Sequence, residues 1–158
     1  MTTPTKMSGI KLQRTNSDNS DFQNLVRLLD QDLRLRDGED HAFYAQYNKV
    51  DAIKHVVVAY ANEIPVGCGA IKPYSGNDWE VKRMFVQEDA RGQGIASIIL
   101  NELERWAREI DCAKLILETG LAQPEAIALY KKKEYVIMPN YGQYAGIENS
   151  VCMFKTLV

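Results

Sequence analysis

The chain has 158 residues, of which 46% are apolar and 25% are charged, and its formal net charge is −2. This length and composition are those of one globular domain with a sizeable core. The near-neutral charge gives no case for a nucleic acid or an anionic membrane as partner. The polar start and the lack of a long apolar run indicate neither a signal peptide nor a membrane span, so we expect a cytoplasmic protein.

The three cysteines, Cys68, Cys112 and Cys152, lie far apart and include no Cys-x-x-Cys pair. An odd number at this spacing indicates neither a disulfide framework nor a zinc site. We therefore expect three reduced thiols in or near the core, and no bound metal.

The domain is predicted to span residues 9–158, behind a loose tail over residues 1–8. A first strand over 10–14 leads into a polar turn, in which Ser20 or Asp21 is placed to cap a helix. Helical spacing predicts one apolar stripe on this helix, formed by Phe22, Leu25, Val26, Leu28, Leu29 and Leu33.

An acidic run follows this stripe, with five acids between Asp30 and Asp40 against Arg34 and Arg36. Gly38 is expected to end the first helix inside the run, and a second short helix is predicted over 40–47. The run has two interpretations. It would attract a cationic ligand, or it is a solvated helix turn whose acids pair with its own arginines.

A hairpin is predicted in the middle of the chain. It consists of a β-rich run over 55–60 and a return strand over 64–74, which Gly67 and Gly69 are expected to interrupt. A second tight turn over 75–78 then leads into another strand.

This next strand carries apolar residues in both phases of the strand alternation. Val81 and Phe85 share one phase, and Met84 and Val86 share the other. Burial of both faces explains this pattern, and so does a bulge near residues 83–85 that shifts the phase by one. A bulge would leave a backbone N–H without a ladder partner and would splay the sheet.

A loop of small residues, Arg91-Gly92-Gln93-Gly94-Ile95-Ala96, joins this strand to a helix. Such a turn aims free backbone N–H groups and the positive end of the helix dipole at one point, which suits a phosphate. Arg91 can add a cation beside the same anion. The helix is predicted from one apolar stripe, formed by Ile95, Ile98, Ile99, Leu103, Trp106 and Ile110.

Strands and helices continue to alternate after this helix. A buried strand over 113–117 is expected to run parallel to the strand before the loop, because a single helix connects them. Pro124 suits the first turn of a helix that ends near Lys133. Strands over 135–138 and 151–156 then close one mixed α/β sheet.

Three stretches in this order resemble the GNAT family of N-acetyltransferases. The loop matches the family's Arg/Gln-x-x-Gly-x-Gly/Ala signature. The family's central strand is matched by Glu80-Val81-Lys82-Arg83-Met84-Phe85-Val86, and its A-x-x-L-Y-x-K-x-G-F helix by Ala126-Ile127-Ala128-Leu129-Tyr130-Lys131-Lys132-Lys133-Glu134-Tyr135. The resemblance covers roughly residues 10–157. It implies the acyl-CoA N-acyltransferase fold, an α/β (α+β mixed) sheet split at the cofactor site, with about four helices.

Two positions depart from the family pattern. Glu134 stands where a glycine often precedes the aromatic residue, so the turn after that helix is expected to be wound differently. Gln123-Pro124-Glu125 replaces the commoner Asn-x-x-Ala, whose asparagine often bonds the cofactor. Neither departure removes a reacting group.

The resemblance implies an enzyme that transfers an acetyl group from acetyl-CoA, by direct attack, to a primary amine of a small molecule or peptide. The loop would hold the pyrophosphate, and a backbone N–H near Phe85 or Val86 would stabilise the oxyanion. Many relatives are dimers, so a homodimer is one expected state. The expected cofactor contacts are Met84, Phe85, Val86, Arg91, Gly92, Gln93, Gly94, Ile95, Ala96, Ser97, Gln123 and Tyr130.

Two side chains are the candidate catalytic residues. Tyr130 takes the place of the family's tyrosine, and a phenol with a pKa of about 10 can protonate a departing thiolate. Glu80 is the candidate base, directly or through a water; its alternative role is a contact with Lys82 on the same face. His41 is a rival base, because an imidazole titrates near neutral pH.

Four tyrosines are candidates for the wall of the acceptor site, or alternatively for plugs of the core: Tyr44, Tyr47, Tyr141 and Tyr144. Two other functions compete with acetyl transfer. A domain of this fold could bind the cofactor without catalysis, as a sensor or scaffold. A dinucleotide-binding unit fits less well, because Gly92-x-Gly94 is followed by Ser97 rather than by glycine.

Overall fold

The computed structural model describes residues 9–38 and 52–158. The predicted tail over 1–8 and the predicted helix over 40–47, with His41, Tyr44 and Tyr47, lie outside the described residues. The described strands are β1 (Ile10–Thr15), β2 (His55–Ala61), β3 (Ile64–Ser75), β4 (Asp78–Val86), β5 (Lys114–Gly120), β6 (Val136–Met138) and β7 (Ser150–Thr156), and the described α-helices are α1 (Ser20–Asp37), α2 (Ile95–Glu109) and α3 (Pro124–Lys132).

The seven strands form one mixed sheet in the order β1-β2-β3-β4-β5-β7-β6. Strands β4 and β5 pair in parallel, as predicted for two strands joined by the single helix α2. The other neighbours in this described sheet pair antiparallel. The parallel pair therefore lies in the middle of the sheet, at the junction between two antiparallel halves.

Helix α1 covers one face of the first half of the sheet. Its buried side chains Phe22, Leu25 and Val26 pack with Val56 and Val58 of β2. The cap is one residue earlier than predicted: Asn19 accepts a 2.9 Å hydrogen bond from the N–H of Phe22. Ser20 and Asp21 are the first helical residues, so neither is the cap. Leu28, which is 40% exposed, lies off the predicted stripe, and Gly38 ends the helix as predicted.

Helix α2 packs on the opposite face, with Ile99 and Leu103 fully buried. The prediction that glycines interrupt β3 is wrong, because the strand is continuous from Ile64 to Ser75. Gly69 instead makes room: a Cβ there would lie 3.0 Å from side-chain atoms of Ile99 and Leu103 and 2.5 Å from Met84 Sδ. The glycine lets α2 approach the sheet closely, which helps to set the position of the loop before it.

Helix α2 also carries a buried carboxylate, Glu104, that joins it to the C-terminal half of the sheet. Glu104 accepts hydrogen bonds from the Tyr135 hydroxyl at 2.9 Å and from Lys155 Nζ at 3.0 Å. Both partners are needed because a buried charge without them would be costly.

The three cysteines are buried free thiols, as predicted. Within residues 9–38 and 52–158, no group of three or more His, Cys, Asp or Glu side chains is arranged to hold a metal ion. No helix in the same ranges is long and apolar enough to cross a membrane.

Candidate functional site

The sheet opens between β4 and β5. The two strands pair over three residues only, and the last pair is Glu80 with Ile116. Beyond it, β4 continues along β3 to Val86, whereas β5 continues along β7 to Gly120. The central strands thus diverge like the arms of a V, with Glu80 at the vertex.

A bulge in β4 widens this opening. Cys68 pairs with Phe85 and Ala70 with Lys82, so the two intervening residues of β4 oppose Gly69 alone. Arg83 takes a left-handed backbone conformation with φ 61°. The bulge interpretation of the sequence is therefore confirmed.

The bulge also explains the two apolar phases. Val81 and Phe85 are four residues apart and would share a face of a regular strand. Instead, Val81 packs in the core beneath α2, and Phe85 packs in the core beneath α1. The extra residue thus buries both faces of β4, and places Val86 on the α2 side with Val81.

The loop after β4 presents the start of helix α2 to the opening. Gly92 and Gly94 have φ values of 80° and 79°, which only glycine adopts without strain. Gly94 is the N-cap and supplies no side chain, and its carbonyl accepts from the N–H of Ile98 at 3.1 Å. The N–H groups of residues 95–97 precede the first intrahelical donor, so they are available to an anion.

Arg91 turns towards the end of β4. Its Nε donates to the Val86 carbonyl at 2.9 Å, and its guanidinium lies 5.6 Å from the centre of the Phe85 ring. Its Nη2 lies 3.9 Å from Asp32 Oδ2 of helix α1. Arg91 therefore adds positive charge at the loop while it holds the loop against the sheet and α1.

The V, the loop and helices α1 and α3 enclose a cleft of about 410 Å³. The candidate residues other than Gln93 line this cleft, whereas Gln93 is exposed and is not among the lining residues. The candidates that do line it are Glu80, Met84, Phe85, Val86, Arg91, Gly92, Gly94, Ile95, Ala96, Ser97, Gln123 and Tyr130.

Tyr130 lies in the wall that α3 contributes and is only 6% exposed. Burial, and then the nearby Glu118, raise the pKa of its phenol above the usual value of about 10. Its ring packs edge-on against Tyr135, 5.7 Å between centres. The phenol is therefore protonated throughout the neutral range and borders the cleft, as a proton donor must.

Glu80 is buried at the vertex and accepts a 2.6 Å hydrogen bond from the Tyr141 hydroxyl. Burial and the Glu80 carboxylate raise the pKa of Tyr141, so this phenol remains the donor. Tyr141 comes from the loop between β6 and β7, 61 residues away in sequence. The carboxylate is thus oriented from outside its own strand. The alternative contact with Lys82 does not occur as an ion pair among the described residues.

The sequence did not identify three charged side chains that line the cleft: Lys82 and Arg83 on β4, and Glu118 on β5. The Arg83 side chain is 3% exposed, and its Nη1 lies 3.9 Å from Asp30. A single sequence contains no signal for these positions, because the β4–β5 register and the bulge decide which side chains face the opening.

The acidic run is partly neutralised in the described part of the chain. Asp32 pairs with Arg36 Nε at 3.2 Å and also lies beside Arg91. Arg36 in turn donates to Glu125 and, at 3.3 Å, to the Ala122 carbonyl at the start of α3. These pairs favour the second interpretation of the run, a helix turn with its own arginine partners.

A sequence model described as the acetyltransferase (GNAT) family matches residues 21–135. The chain belongs to the GNAT family of acetyltransferases. The match includes β4, the glycine loop and the Tyr130 helix, so the three stretches that indicated this family all lie within it.

Relatives of this GNAT protein support the same conclusion. An "IAA acetyltransferase" of Azospirillum brasilense is 41% identical over 102 residues, which are 64% of this chain and 67% of that protein. A putative acyl-CoA N-acyltransferase of Klebsiella pneumoniae has a TM-score of 0.78 and 28% identity, over 94% of this chain and 98% of that one. The predicted fold is therefore confirmed as well.

A third similar structure is the PaiA N-acetyltransferase of Thermoplasma acidophilum in complex with coenzyme A. It has a TM-score of 0.68 and 14% identity, over 93% of this chain and 98% of that one. At this identity the likeness concerns the fold alone.

Proposed function

We propose that this GNAT protein transfers the acetyl group of acetyl-CoA to a primary amine of a small molecule or peptide, by direct attack. The observation that carries the proposal is the V between β4 and β5, with Glu80 at its vertex, Tyr130 in its wall and the glycine loop at its open end. This arrangement supplies an anion site, a base and an acid along one cleft.

The loop has the chemistry that the cofactor requires. The diphosphate of acetyl-CoA needs clustered N–H donors, and residues 92–97 supply backbone N–H groups at the positive end of α2. The glycines leave open space there, since a Cβ on Gly92 or Gly94 would have no heavy atom within 4 Å. Arg91 adds a cation beside the loop. Bound there, the cofactor would supply the activated thioester.

Groups of the protein act in three steps of the reaction. Glu80 takes a proton from the acceptor ammonium, directly or through a water, and so frees the nitrogen lone pair. The nitrogen attacks the thioester carbon, and a backbone N–H at the bulge near Phe85 stabilises the oxyanion. The carbon–sulfur bond then breaks, Tyr130 gives its proton to the thiolate, and the nitrogen releases its second proton to solvent, from which Tyr130 regains its own. The products are an N-acetylated amine and coenzyme A.

The test is an acceptor screen. The protein is incubated with acetyl-CoA and a panel of amines, amino acids, amino sugars and peptides, while free thiol is measured and acetylated products are identified by mass spectrometry. We expect amine-dependent thiol release with one N-acetyl product per thiol. Binding of acetyl-CoA without thiol release across the panel would contradict transfer, and would favour a sensor or scaffold of the same fold.

A further inference from the structure

Two side chains of opposite charge face each other across the V. Glu80 and Ile116 form the last pair of the β4–β5 ladder. Lys82 and Glu118 are each two residues further along their strands, and side chains return to the same face of a strand every second residue. Both line the cleft. Lys82 therefore stands on the β4 arm of the V, and Glu118 on the β5 arm.

These two charges do not neutralise each other in the structure. No ion pair joins Lys82 to Glu118 or Glu80 among the described residues, although both carboxylates are near enough to favour its charged form. Burial outweighs them and lowers the pKa of the Lys82 amine below its usual value. Lys82 thus faces the cleft without an ion-pair partner among the described residues, and a ligand carboxylate can fill that role. Arg83, buried on the same arm, lies 3.9 Å from Asp30 of α1 and does not compete for such a ligand group.

We propose that the acceptor is an amino acid, a small zwitterion whose carboxylate binds Lys82 and whose amine lies between Glu80 and Glu118. The inference rests on the proposed function and specifies its substrate class. The amine and the carboxylate of an amino acid are bonded to the same carbon. They can therefore reach oppositely charged side chains on the two strands close to the vertex, where the strands have only begun to diverge. Each end of the molecule then meets a side chain of opposite charge.

The same charges disfavour the other amines of the acceptor panel. A polyamine would bring a second ammonium towards Lys82, where like charges repel. The N-terminus of a peptide carries an amide in place of the carboxylate and leaves the Lys82 ammonium without a counter-charge. Lys82 is therefore the specificity-determining residue of the site.

Binding separates this inference from catalysis. The protein saturated with coenzyme A is titrated calorimetrically with each common L-amino acid and with the corresponding amino acid amide. Three variants are compared with wild type: Lys82→Met, which removes the charge; Lys82→Arg, which retains it; and Lys132→Met, which changes an exposed lysine of α3. Thermal melting checks that every variant is folded.

We expect at least one amino acid to bind at least roughly tenfold more tightly than its amide, as for a lost charge-assisted hydrogen bond. Lys82→Met should remove this preference, while Lys82→Arg and Lys132→Met should retain most of it. Equal binding of acids and amides, binding of no amino acid, or an unchanged preference in Lys82→Met would overturn the inference. Amino acid binding without thiol release would overturn the proposed function and leave the zwitterion site standing.

Discussion

The hydroxyl of Tyr141 donates a 2.6 Å hydrogen bond to the carboxylate of Glu80, at the point where the two central strands separate. The contact joins the vertex of the V to the loop between β6 and β7. It gives the candidate base one fixed orientation, because its phenol partner is itself held by ring contacts with Tyr74 and Tyr144.

Tyr141→Phe should therefore impair catalysis more than cofactor binding. A hydrogen bond to a charged group is worth about 1.5–3 kcal/mol, so kcat should fall roughly tenfold or more, with KM for acetyl-CoA little changed. Steady-state thiol release measures both constants. Tyr74→Phe is the matched control, since it keeps the ring contact with Tyr141 and should behave like wild type. Full activity of Tyr141→Phe would remove the case for an oriented Glu80 base.

Tyr130→Phe should lose rate without losing stability. Its hydroxyl makes no hydrogen bond to the described part of the protein, whereas loss of a general acid typically costs about 10²–10⁴ in rate. Because burial raises the pKa of Tyr130, its deprotonation should cause no loss of wild-type rate below about pH 10. Thiol release across pH, together with thermal melting, measures these effects.

The comparison variant is Tyr135→Phe, which should show the opposite pattern. The Tyr135 hydroxyl bonds the buried carboxylate of Glu104, so its removal should destabilise the fold by about 1–3 kcal/mol and leave kcat near wild type. If Tyr130→Phe melts early but turns over normally, the acid role belongs to another group.

Glu134→Gly should stabilise the protein. Glu134 follows helix α3 with a left-handed φ of 73°, and its N–H donates to the Lys131 carbonyl at 3.0 Å. A residue with a Cβ pays about 1–2 kcal/mol for this conformation, partly offset by the entropy that glycine loses. We expect a gain of roughly 0.5–1 kcal/mol in the free energy of unfolding, measured by urea titration. Glu134→Ala keeps the strain while removing the charge, so an equal gain there would refute the backbone explanation.

His55 should make the fold less stable in mild acid. It packs edge-on between Trp79 and Trp106, at 5.0 and 4.7 Å between ring centres. Burial, with the nearby Lys54 and Arg14, lowers its pKa, so the unfolded chain takes up the proton first. Its contribution is thus complete above about pH 6.5 and decreases as pH falls below that value. His55→Phe should show a smaller drop in melting temperature between pH 7.5 and 5.5; equal drops would contradict this origin.

The sequence was sufficient for the fold and for the glycine loop that borders the cleft, because local patterns determine both. The glycine loop requires left-handed backbone at Gly92 and Gly94. The apolar residues in both alternation phases of β4 reflect its bulge. The family resemblance then places Tyr130 and Glu80 in the same cleft, and the structure brings both to its walls.

The wall of the cleft to which we assign the acceptor could not be predicted, because long-range strand register creates it. Lys82 faces Glu118 only through the pairing of β4 with β5, and Tyr141 reaches Glu80 across 61 residues. The role of Gly69 likewise depends on the approach of α2, which no local pattern in β3 reveals. The helix cap at Asn19 was missed because three neighbouring residues, Asn19 to Asp21, are all good caps.

The most direct test of the account is a crystal structure of the protein with coenzyme A. We predict diphosphate oxygens within hydrogen-bond distance of backbone N–H groups between Gly92 and Ser97, with the pantetheine arm in the V and its sulfur beside the Tyr130 hydroxyl. A coenzyme bound elsewhere, or a β4–β5 ladder that stays closed beyond Glu80, would contradict it.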